Sequence, residues 1–319
     1  MVSGLILLNK SPGITSFDAL RDIKRALGTG KVGHTGTLDK FAGGLLIVLV
    51  GKALRLSQWF THCDKKYEGR ICFGAETDTL DPEGSVIAEA AVPLREDVEN
   101  VLSRFTGEKM QAPPAYSAIH VDGKRASSLA RAGAPPEMKK RAVSVYKLEL
   151  RSWQPPYADI FVHCSSGTYI RSLARDIALA AGSRGYLTSL LRTQIADFML
   201  DQCNSLTQNF QTTNIHSQLP TPNSPLPITK EVISALGMPW FDVTEQDAQK
   251  IFHGKSLEFL LKKNPIISEL TQFSKSSLFS VNCSLGSAAV FRGEALIAVV
   301  EKIDGNWKYG CVLGEEKVL

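Results

Sequence analysis

Two kinds of apolar pattern run through the first 200 positions of the chain. Short apolar runs predict buried strands, and apolar residues every three or four positions predict helices. The predicted strands are 4–8, 45–50, 65–74, 143–153, 157–164 and a part of 187–200. The predicted helices are 15–27, 53–63, 95–105, a short segment ending near 131, and 168–181. The elements are mixed without strict alternation, which favours the α+β class over a doubly wound parallel sheet.

The segment 31–44 shows no periodicity and is rich in glycine and threonine, so it is predicted to be a loop. It contains Lys31, His34 and Asp39, and a loop next to a buried strand is a common place for functional residues. A carboxylate can act as a base, an acid, a metal ligand or a nucleophile. The next carboxylate along the chain is Asp64, which does not favour a carboxylate pair. From these residues alone, a turn-capping role is the favoured interpretation of Asp39.

Two other segments hold candidate chemistry. The segment 77–84 carries three carboxylates, but it lacks the spacing of an EF-hand, so a turn built on side-chain hydrogen bonds is favoured over a cation loop. The predicted helix that begins near Thr168 has free backbone N–H groups that could hold a phosphate. Arg171 and Arg175 share one face of this helix, although a pair of solvated surface arginines explains them equally well.

The composition changes after position 200. No charged residue stands between Asp201 and Lys230, and polar residues and proline dominate, as is typical of a linker. A helix is predicted at 244–252, followed by short strands at 278–281, 288–292, 295–301 and 307–312, which suggests a small barrel or sandwich. We therefore expect a first domain at 1–205, a linker at 206–237 and a β-rich domain at 238–319.

The charge distribution favours a polyanionic partner for the first part of the chain. Residues 1–200 contain 26 Lys and Arg against 20 Asp and Glu, whereas residues 201–319 contain 10 against 12. Basic residues stand beside aromatic ones at 65–70 and 139–146, a mixture that suits RNA because phosphates are neutralised while bases stack. An ordinary mixed surface remains the alternative.

Several function classes lack support in the sequence. Glycine-rich nucleotide loops, the nucleophile elbow of hydrolases, and histidine or cysteine spacings typical of zinc sites are all missing. We therefore expect neither a cofactor nor a metal. Six scattered cysteines predict free thiols in a reducing compartment. The N-terminal apolar run is too short for a signal peptide, and the sequence shows no membrane span, so we expect a cytoplasmic protein.

A series of motifs stands in a recognisable order. The series comprises Gly33-His-Thr-Gly-Thr-Leu-Asp39 with Ala42-Gly-Gly44, Lys66-Tyr67, Gly74-x-x-Thr-Asp-Thr-x-Asp81-x-x-Gly84, Pro113-Pro-x-Tyr-Ser-Ala118, Gly123-x-Arg-Ala126 with Ala130-Arg-x-Gly133, Cys164-Ser-x-Gly-Thr-Tyr-Ile-Arg171-x-Leu-Ala174, and Leu190-x-Arg-Thr193. Their order and separations resemble the TruB family of pseudouridine synthases over about residues 4–200. The weaker pattern at 248–254 and 289–298 resembles the PUA-like RNA-binding module of that family.

The resemblance implies a pseudouridine-synthase fold of the α+β class around a central mixed sheet, with a small PUA-like domain after it. It also implies roles for single residues. Asp39 matches the catalytic aspartate, Tyr67 the tyrosine that stacks on the target uracil, and Arg171 the arginine that pairs with the aspartate. The remaining matches concern substrate binding: the base-extruding histidine (His34), pocket residues (Tyr169, Leu190) and a lysine near the N-terminus (Lys10).

The activity implied is isomerisation of uridine to pseudouridine at position 55 in the T-arm of tRNA, by base flipping and an aspartate nucleophile. The resemblance implies tRNA as the partner, no cofactor, no obligatory protein partner and a monomer. Arg171 is expected to lower the pKa of Asp39. The alternatives are a non-catalytic RNA-binding or tRNA-folding protein on the same fold, a guide-RNA-dependent synthase and, more distantly, a glycoside hydrolase.

The sequence differs from the usual family pattern at two places. Lys10 is followed by Ser11 and then Pro12, where the family commonly has Lys-Pro. Lys40-Phe41-Ala42-Gly43-Gly44 stands after the aspartate, where the family usually has Pro-Leu-Ala-Thr-Gly. Loss of that proline frees the backbone after Asp39, and Lys40 adds a charge beside it.

Overall fold

A computed structural model describes residues 2–203, 224–263 and 286–314 of the 319-residue chain. Its strands within these ranges are β1 (Gly4–Lys10), β2 (Val32–His34), β3 (Gly43–Val50), β4 (Lys65–Phe73), β5 (Ala75–Thr77), β6 (Val86–Glu89), β7 (Gly107–Gln111), β8 (His120–Val121), β9 (Lys124–Arg125), β10 (Arg141–Gln154), β11 (Tyr157–Cys164), β12 (Gly185–Ile195), β13 (Phe198–Met199), β14 (Trp240–Asp242), β15 (Ser287–Arg292), β16 (Ala295–Ile303) and β17 (Asn306–Val312).

The α-helices in the same ranges are α1 (Ser16–Leu27), α2 (Ser57–Thr61), α3 (Arg95–Leu102), α4 (Ala126–Arg131), α5 (Ile170–Ala180), α6 (Lys230–Ala235), α7 (Glu245–Phe252) and α8 (Glu258–Lys263). Two 3₁₀ turns, Gly51–Leu56 and Ser103–Phe105, extend α2 and α3 into the segments that the sequence predicts to be helical.

The large sheet has the strand order β1-β3-β12-β4-β11-β10-β7, with β2 added beside β3 and β13 beside β12. The pair β12–β3 is parallel and its neighbours are antiparallel, so the sheet is mixed. This confirms the predicted α+β class and its central mixed sheet. Strands β4 and β12 lie in the middle, and the first turn of α5 lies near them.

Local sequence signals explain the element ends. Thr15 caps α1 through a capping box, in which its hydroxyl and the Asp18 carboxylate satisfy each other's backbone N–H groups. Every residue of β3 is buried, because β1 and β12 flank it and helices cover its faces. The segment 31–44 differs from the prediction of a continuous loop, since it contains β2, which pairs with β3.

The C-terminal strands form one open sheet in the order β14-β15-β16-β17 within the described residues. The expected barrel or sandwich is therefore wrong for this part of the chain, and the predicted strand 278–281 lies outside the described residues. The physical reason is that both faces of β15 and β16 are already covered. Ala288, Val290 and Val300 pack with helices α7 and α8, whereas Phe291 and Val299 pack on the other side.

That other side belongs to the same apolar cluster as the first half of the chain. Phe291 and Val299 share it with Leu5, Ile47 and Trp59. The indole N–H of Trp59 donates to the Ser287 hydroxyl at 3.1 Å.

The predicted linker is partly ordered into secondary structure. It contains α6 as well as Leu226, which bridges to Leu5 of β1. The division of the chain into domains at 205 and 238 stays a prediction.

Two further expectations bear on the protein's surroundings. No helix in the described ranges is long and apolar enough to cross a membrane. Cys72, Cys164 and Cys311 are free thiols, whereas Cys63 is disulfide-bonded. The expectation of free thiols throughout is wrong for Cys63, since spacing along a chain does not show which cysteines meet in space.

Candidate active site

The loop that carries Asp39 is fixed to helix α1. The Ser16 hydroxyl, buried at the start of α1, accepts from the Leu38 backbone N–H at 2.9 Å and donates to the Leu38 carbonyl at 3.0 Å. The backbone N–H of Gly13 donates to the carbonyl of Lys40 at 2.7 Å. The residues on either side of Asp39 are therefore held, and the carboxylate projects from an ordered loop that stays partly open to solvent.

Arg171 enters the site from the first turn of α5. The amide of Gln111, on β7, bonds both backbone groups of Tyr169 just before the helix, at 2.8 and 3.1 Å. This places the Arg171 side chain, which is 4% exposed, beneath the Asp39 loop. Arg171 and Arg175 therefore do not form a pair of solvated surface arginines, which was the alternative interpretation of this motif.

Arg171 joins two carboxylates. One terminal nitrogen of its guanidinium lies 2.9 Å from Asp39, and the other lies 3.2 Å from Asp81. The carbonyls of Thr79 and Tyr116 accept from the same two nitrogens at 2.7 and 3.1 Å. The planar fork of arginine suits such a multidentate arrangement, which fixes the direction of the Asp39 carboxylate.

Asp81 has a role that the sequence did not assign. One of its oxygens accepts from the Thr79 hydroxyl at 2.6 Å and from the Glu83 N–H at 3.0 Å, which is the predicted turn of side-chain hydrogen bonds. Its other oxygen remains for Arg171. The turn interpretation was therefore correct but incomplete. The feature of the sequence that could have assigned this role was the position of Asp81 within one of the ordered motifs.

The pKa of Asp39 is raised above its ordinary value of 3.8, chiefly by burial of the carboxyl. The positive charge of Arg171 acts in the opposite direction and is the second cause, while the negative charge of Asp81 adds to the rise. The expectation that Arg171 lowers the Asp39 pKa is confirmed for the effect of Arg171 itself, although burial outweighs it. Arg171 limits the rise and does not reverse it.

The apolar wall of the site contains Tyr67 and Leu190. Both are buried in one cluster with Leu38 of the aspartate loop, and they come from the neighbouring central strands β4 and β12. Burial raises the pKa of Tyr67 to about 12. Burial is also the main cause of the raised pKa of the half-buried Tyr169, and the charge of Asp39 adds a smaller rise to both tyrosines, so both lie within electrostatic range of this carboxylate.

Lys10 is fully buried, and its predicted part in substrate binding stays a prediction. Its ammonium donates to the carbonyls of Ser11 and Ile14 at 3.1 and 2.8 Å. Burial lowers its pKa to about 8, against the attraction of Asp39, so Lys10 contributes charge beneath the carboxylate. His34 is partly buried at the end of β2. Burial and the charge of Arg192 lower its pKa, and its Nδ1 has no hydrogen-bond partner within the described residues.

Arg192 is another residue for which sequence reasoning assigned no role. It is 1% exposed, and its guanidinium donates to the carbonyls of Leu45 and Gly36 at 2.8 and 3.1 Å. It therefore ties β12 to both ends of the loop that carries Asp39. Within the described residues no cluster of side chains could hold a metal ion.

Gly44 allows β3 to approach the backbone of Arg192 closely, and Gly44→Ala is expected to destabilise the protein. Its φ of +103° is a conformation that residues with a side chain rarely adopt, and an added Cβ would lie 2.3 Å from the Arg192 carbonyl oxygen. We expect a loss of about 2–4 kcal/mol in the free energy of unfolding from backbone strain and overpacking. Urea unfolding measures it. Gly13→Ala is the comparison, since its φ is also positive but nothing lies within 4 Å; losses of equal size would contradict the contact with Arg192.

Comparisons with known proteins show the family of this chain. Residues 24–170 match the model of the TruB family pseudouridylate synthase, N-terminal domain. The tRNA pseudouridine synthase B of Borreliella burgdorferi strain ZS7 is 45% identical over 203 residues, which are 63% of this chain and 72% of the relative. The chain belongs to the TruB family. The tRNA pseudouridine synthase B of Azoarcus sp. strain BH72 is 47% identical over 199 residues, 62% of this chain and 66% of the relative.

Solved structures support the fold over most of the chain. A chain of the crystal structure of a Cbf5-Nop10-Gar1 complex superposes with a TM-score of 0.62 at 22% identity, covering 98% of this chain and 84% of that one. A chain of an H/ACA RNP bound to a substrate RNA containing 2′-deoxyuridine superposes with a TM-score of 0.58 at 19% identity, covering 94% and 78%. At these identities the likeness concerns the fold.

The departure from the usual TruB pattern after Asp39 has a structural counterpart. Lys40, where the family usually has proline, forms an ion pair of 3.1 Å with Glu83 in the turn that contains Asp81. Both side chains are about half exposed, so the pair contributes little stability in water. It nonetheless joins the two carboxylate-bearing segments at the surface of the site.

Proposed function

We propose that this chain converts uridine to pseudouridine at position 55 in the T-arm of tRNA, with Asp39 as the nucleophile. The observation that carries the proposal is the partly buried Asp39 carboxylate, held by the buried Arg171 next to the Tyr67 wall. Membership of the TruB family supports a synthase acting on tRNA, because the curated relatives are tRNA pseudouridine synthases. The position in the T-arm and the role of Asp39 rest on the matched motifs.

The reaction is an isomerisation and is balanced within the substrate. The N1–C1′ bond of the uridine breaks, the uracil turns within the pocket, and a C5–C1′ bond forms. C5 then loses its proton, and N1 gains one. Nothing is oxidised or reduced, and no group is added from outside the substrate. The reaction therefore needs no chemical group beyond those that the side chains of the site carry.

Asp39 acts in its ionised form, since only a carboxylate can attack carbon. Attack on uracil C6 and attack on ribose C1′ both fit the site. Arg171 orients the carboxylate and limits the effect of burial on its pKa, and Lys10 adds a second positive charge. A buried, partly desolvated carboxylate is also a stronger nucleophile than one in water, provided that it stays ionised.

The target base must leave its stack to reach Asp39. Extrusion of a base costs a few kcal/mol, and stacking on an aromatic ring returns roughly 1–3 kcal/mol per base. Tyr67 supplies that ring beside the aspartate loop, with Leu190 next to it. His34 stands at the end of the loop, where it is proposed to assist extrusion.

The decisive experiment is incubation of the purified chain with unmodified tRNA transcript, followed by chemical labelling that maps pseudouridine. We expect one product, in the T-arm at position 55, and none with a transcript that carries cytidine there. A product at another position would contradict the substrate assignment. Absence of product despite tRNA binding would favour the non-catalytic alternative.

Tyr67→Leu is expected to slow turnover more than Tyr67→Phe does, because phenylalanine keeps the stacking surface and loses only the hydroxyl. The stacking contribution corresponds to about 10- to 100-fold. Single-turnover rates on tRNA measure both variants. Tyr157→Leu, at a half-exposed tyrosine of β11, is the control and should react at the wild-type rate. Equal rates for Tyr67→Leu and the wild type would refute the stacking role.

The proposal includes three expectations about the setting. The chain acts on tRNA without an obligatory protein partner, although two of the structural neighbours are parts of larger complexes. It acts as a monomer, and it works in the cytoplasm, where tRNA is modified. Activity of the purified chain, together with its mass in solution, tests the first two expectations.

A further inference from the structure

The buried cations of the site have an unusual set of partners. Lys10 and Arg192 are fully buried, and Lys65 is 7% exposed. The ammonium of Lys65 donates to the carbonyls of Thr61 and Cys63, and the other two also donate to main-chain carbonyls. Within the described residues, none of the three lies in a salt bridge of 4 Å or less. A buried charge without a carboxylate partner is costly, so such a group calls for a functional reason.

Arg192 lies closest to the reacting groups. It is the direct cross-strand partner of Tyr67 in the pairing of β12 with β4, so the two side chains share the face that looks onto the site. Its positive charge acts on the Tyr67 hydroxyl and also on Lys10, His34 and Lys65. Its guanidinium donates to the carbonyls of Gly36 and Leu45, which hold it in place.

We propose that Arg192 is a positioning residue that acts through the Tyr67 hydroxyl, fixing the phenol against the target uracil and stabilising negative charge on its oxygen. Burial makes the phenolate unfavourable and raises the pKa of Tyr67 to about 12, and the charge of Arg192 limits this rise. When C5 loses its proton after the new C–C bond has formed, the Tyr67 oxygen takes it, directly or through water, while the hydroxyl gives up its own proton through water to the uracil N1, so that the tyrosine ends neutral. The role rests on the proposed function, because only a pseudouridine synthase has this proton to remove.

A double-mutant cycle tests whether Arg192 acts through Tyr67. Arg192→Lys keeps the positive charge but loses the planar guanidinium that holds it beside Tyr67, and we expect it to lower the single-turnover rate by about 10- to 100-fold, as for loss of one charge-assisted interaction. In a Tyr67→Phe background the same substitution should cost only about twofold, because the hydroxyl is already gone. Equal penalties in both backgrounds would overturn the proposal.

A second measurement needs no RNA and guards against a merely structural effect. In protein labelled with 3-fluorotyrosine, the ¹⁹F signal of Tyr67 among the seven tyrosines is the one missing from Tyr67→Phe. Arg192→Lys should move this signal and leave the others in place. An unmoved Tyr67 signal in a folded variant would refute the contact, whether or not the chain modifies tRNA.

The matched control is Arg70→Lys. Arg70 lies on the same strand as Tyr67 but is half exposed and pairs with Asp159. This variant should keep the rate, the pH profile and the Tyr67 signal of the wild type.

Arg192→Lys should also shift the alkaline part of the pH–rate profile, because the positive charge beside the Tyr67 phenol moves. If the rate falls equally at every pH, that result would contradict a role in the proton transfer. If wild-type chain modifies no tRNA, the proposed function fails, and the ¹⁹F result still decides the Arg192–Tyr67 contact.

Discussion

Asp39→Asn should abolish pseudouridine formation while tRNA binding survives. Asparagine has nearly the same shape and can still accept a hydrogen bond from Arg171, so the loop held by Ser16 should keep its conformation. An amide is not an effective nucleophile, however, and removal of a nucleophile commonly costs at least about 1,000-fold in rate. Single-turnover conversion of tRNA measures the rate, and filter retention of labelled tRNA measures the binding.

A control separates loss of the nucleophile from loss of charge. Asp159→Asn neutralises a carboxylate on the neighbouring strand β11, where Asp159 pairs with Arg70 away from the site. Its rate should stay within about twofold of the wild type, since a partly exposed pair contributes little. Wild-type turnover by Asp39→Asn would remove this residue from the mechanism. Joint loss of binding and turnover would instead indicate that Asp39 shapes the site.

The secondary structure of the first 200 residues could be predicted well because local signals agree with the tertiary contacts. The capping residue Thr15 and the buried run 45–50 each mark an element without reference to distant parts of the chain. The C-terminal sheet could not be predicted in the same way. Its strands were largely visible, but which faces are covered depends on Trp59 and its neighbours, more than 200 positions earlier.

In the candidate site, too, local sequence signals predict only a part of what the structure shows. Periodicity and spacing left Asp39 as a turn residue, and only the ordered motifs singled out Arg171 and Tyr67. Asp81 and Arg192 stood in those motifs without roles, because their roles come from contacts with segments about 90 and 150 positions away. Sequence separation of this size carries no local signal.

Burial and the charge of Arg171 act on the pKa of Asp39 in opposite directions, and the larger effect decides whether it is raised or lowered. The sequence predicts the pairing with Arg171, which lowers the Asp39 pKa, but it does not predict the burial that accompanies the pairing. Burial is the larger cause, so the carboxyl is harder to ionise than a free aspartate. The acid limb of the rate profile should therefore lie above the range expected for an exposed aspartate, and Arg171 should limit this rise.

Arg171→Met should be the most damaging substitution after that of Asp39, because it leaves two carboxylates without their shared cation. Removing one partner of a buried ion pair costs about 3–5 kcal/mol in the free energy of unfolding. We expect turnover to fall by at least about 100-fold, since Asp39 loses both its orientation and the charge that opposes its protonation. Urea unfolding and single-turnover rates measure the two effects.

The pH dependence of turnover and stability distinguishes Arg171→Met most clearly from the wild type. Without the guanidinium the Asp39 pKa rises further, so the acid limb should move to higher pH, since the active carboxylate protonates sooner as the pH falls. The stability penalty should shrink as the pH is lowered towards 3.8, because a carboxyl whose folded-state pKa is raised becomes neutral in the folded protein first. Arg184→Met, which breaks the less buried pair with Glu76, is the control and should cost less than about 1 kcal/mol with no shift of the limb. An acid limb that stays in place in Arg171→Met would contradict the electrostatic role of Arg171 and leave it only that of orienting Asp39.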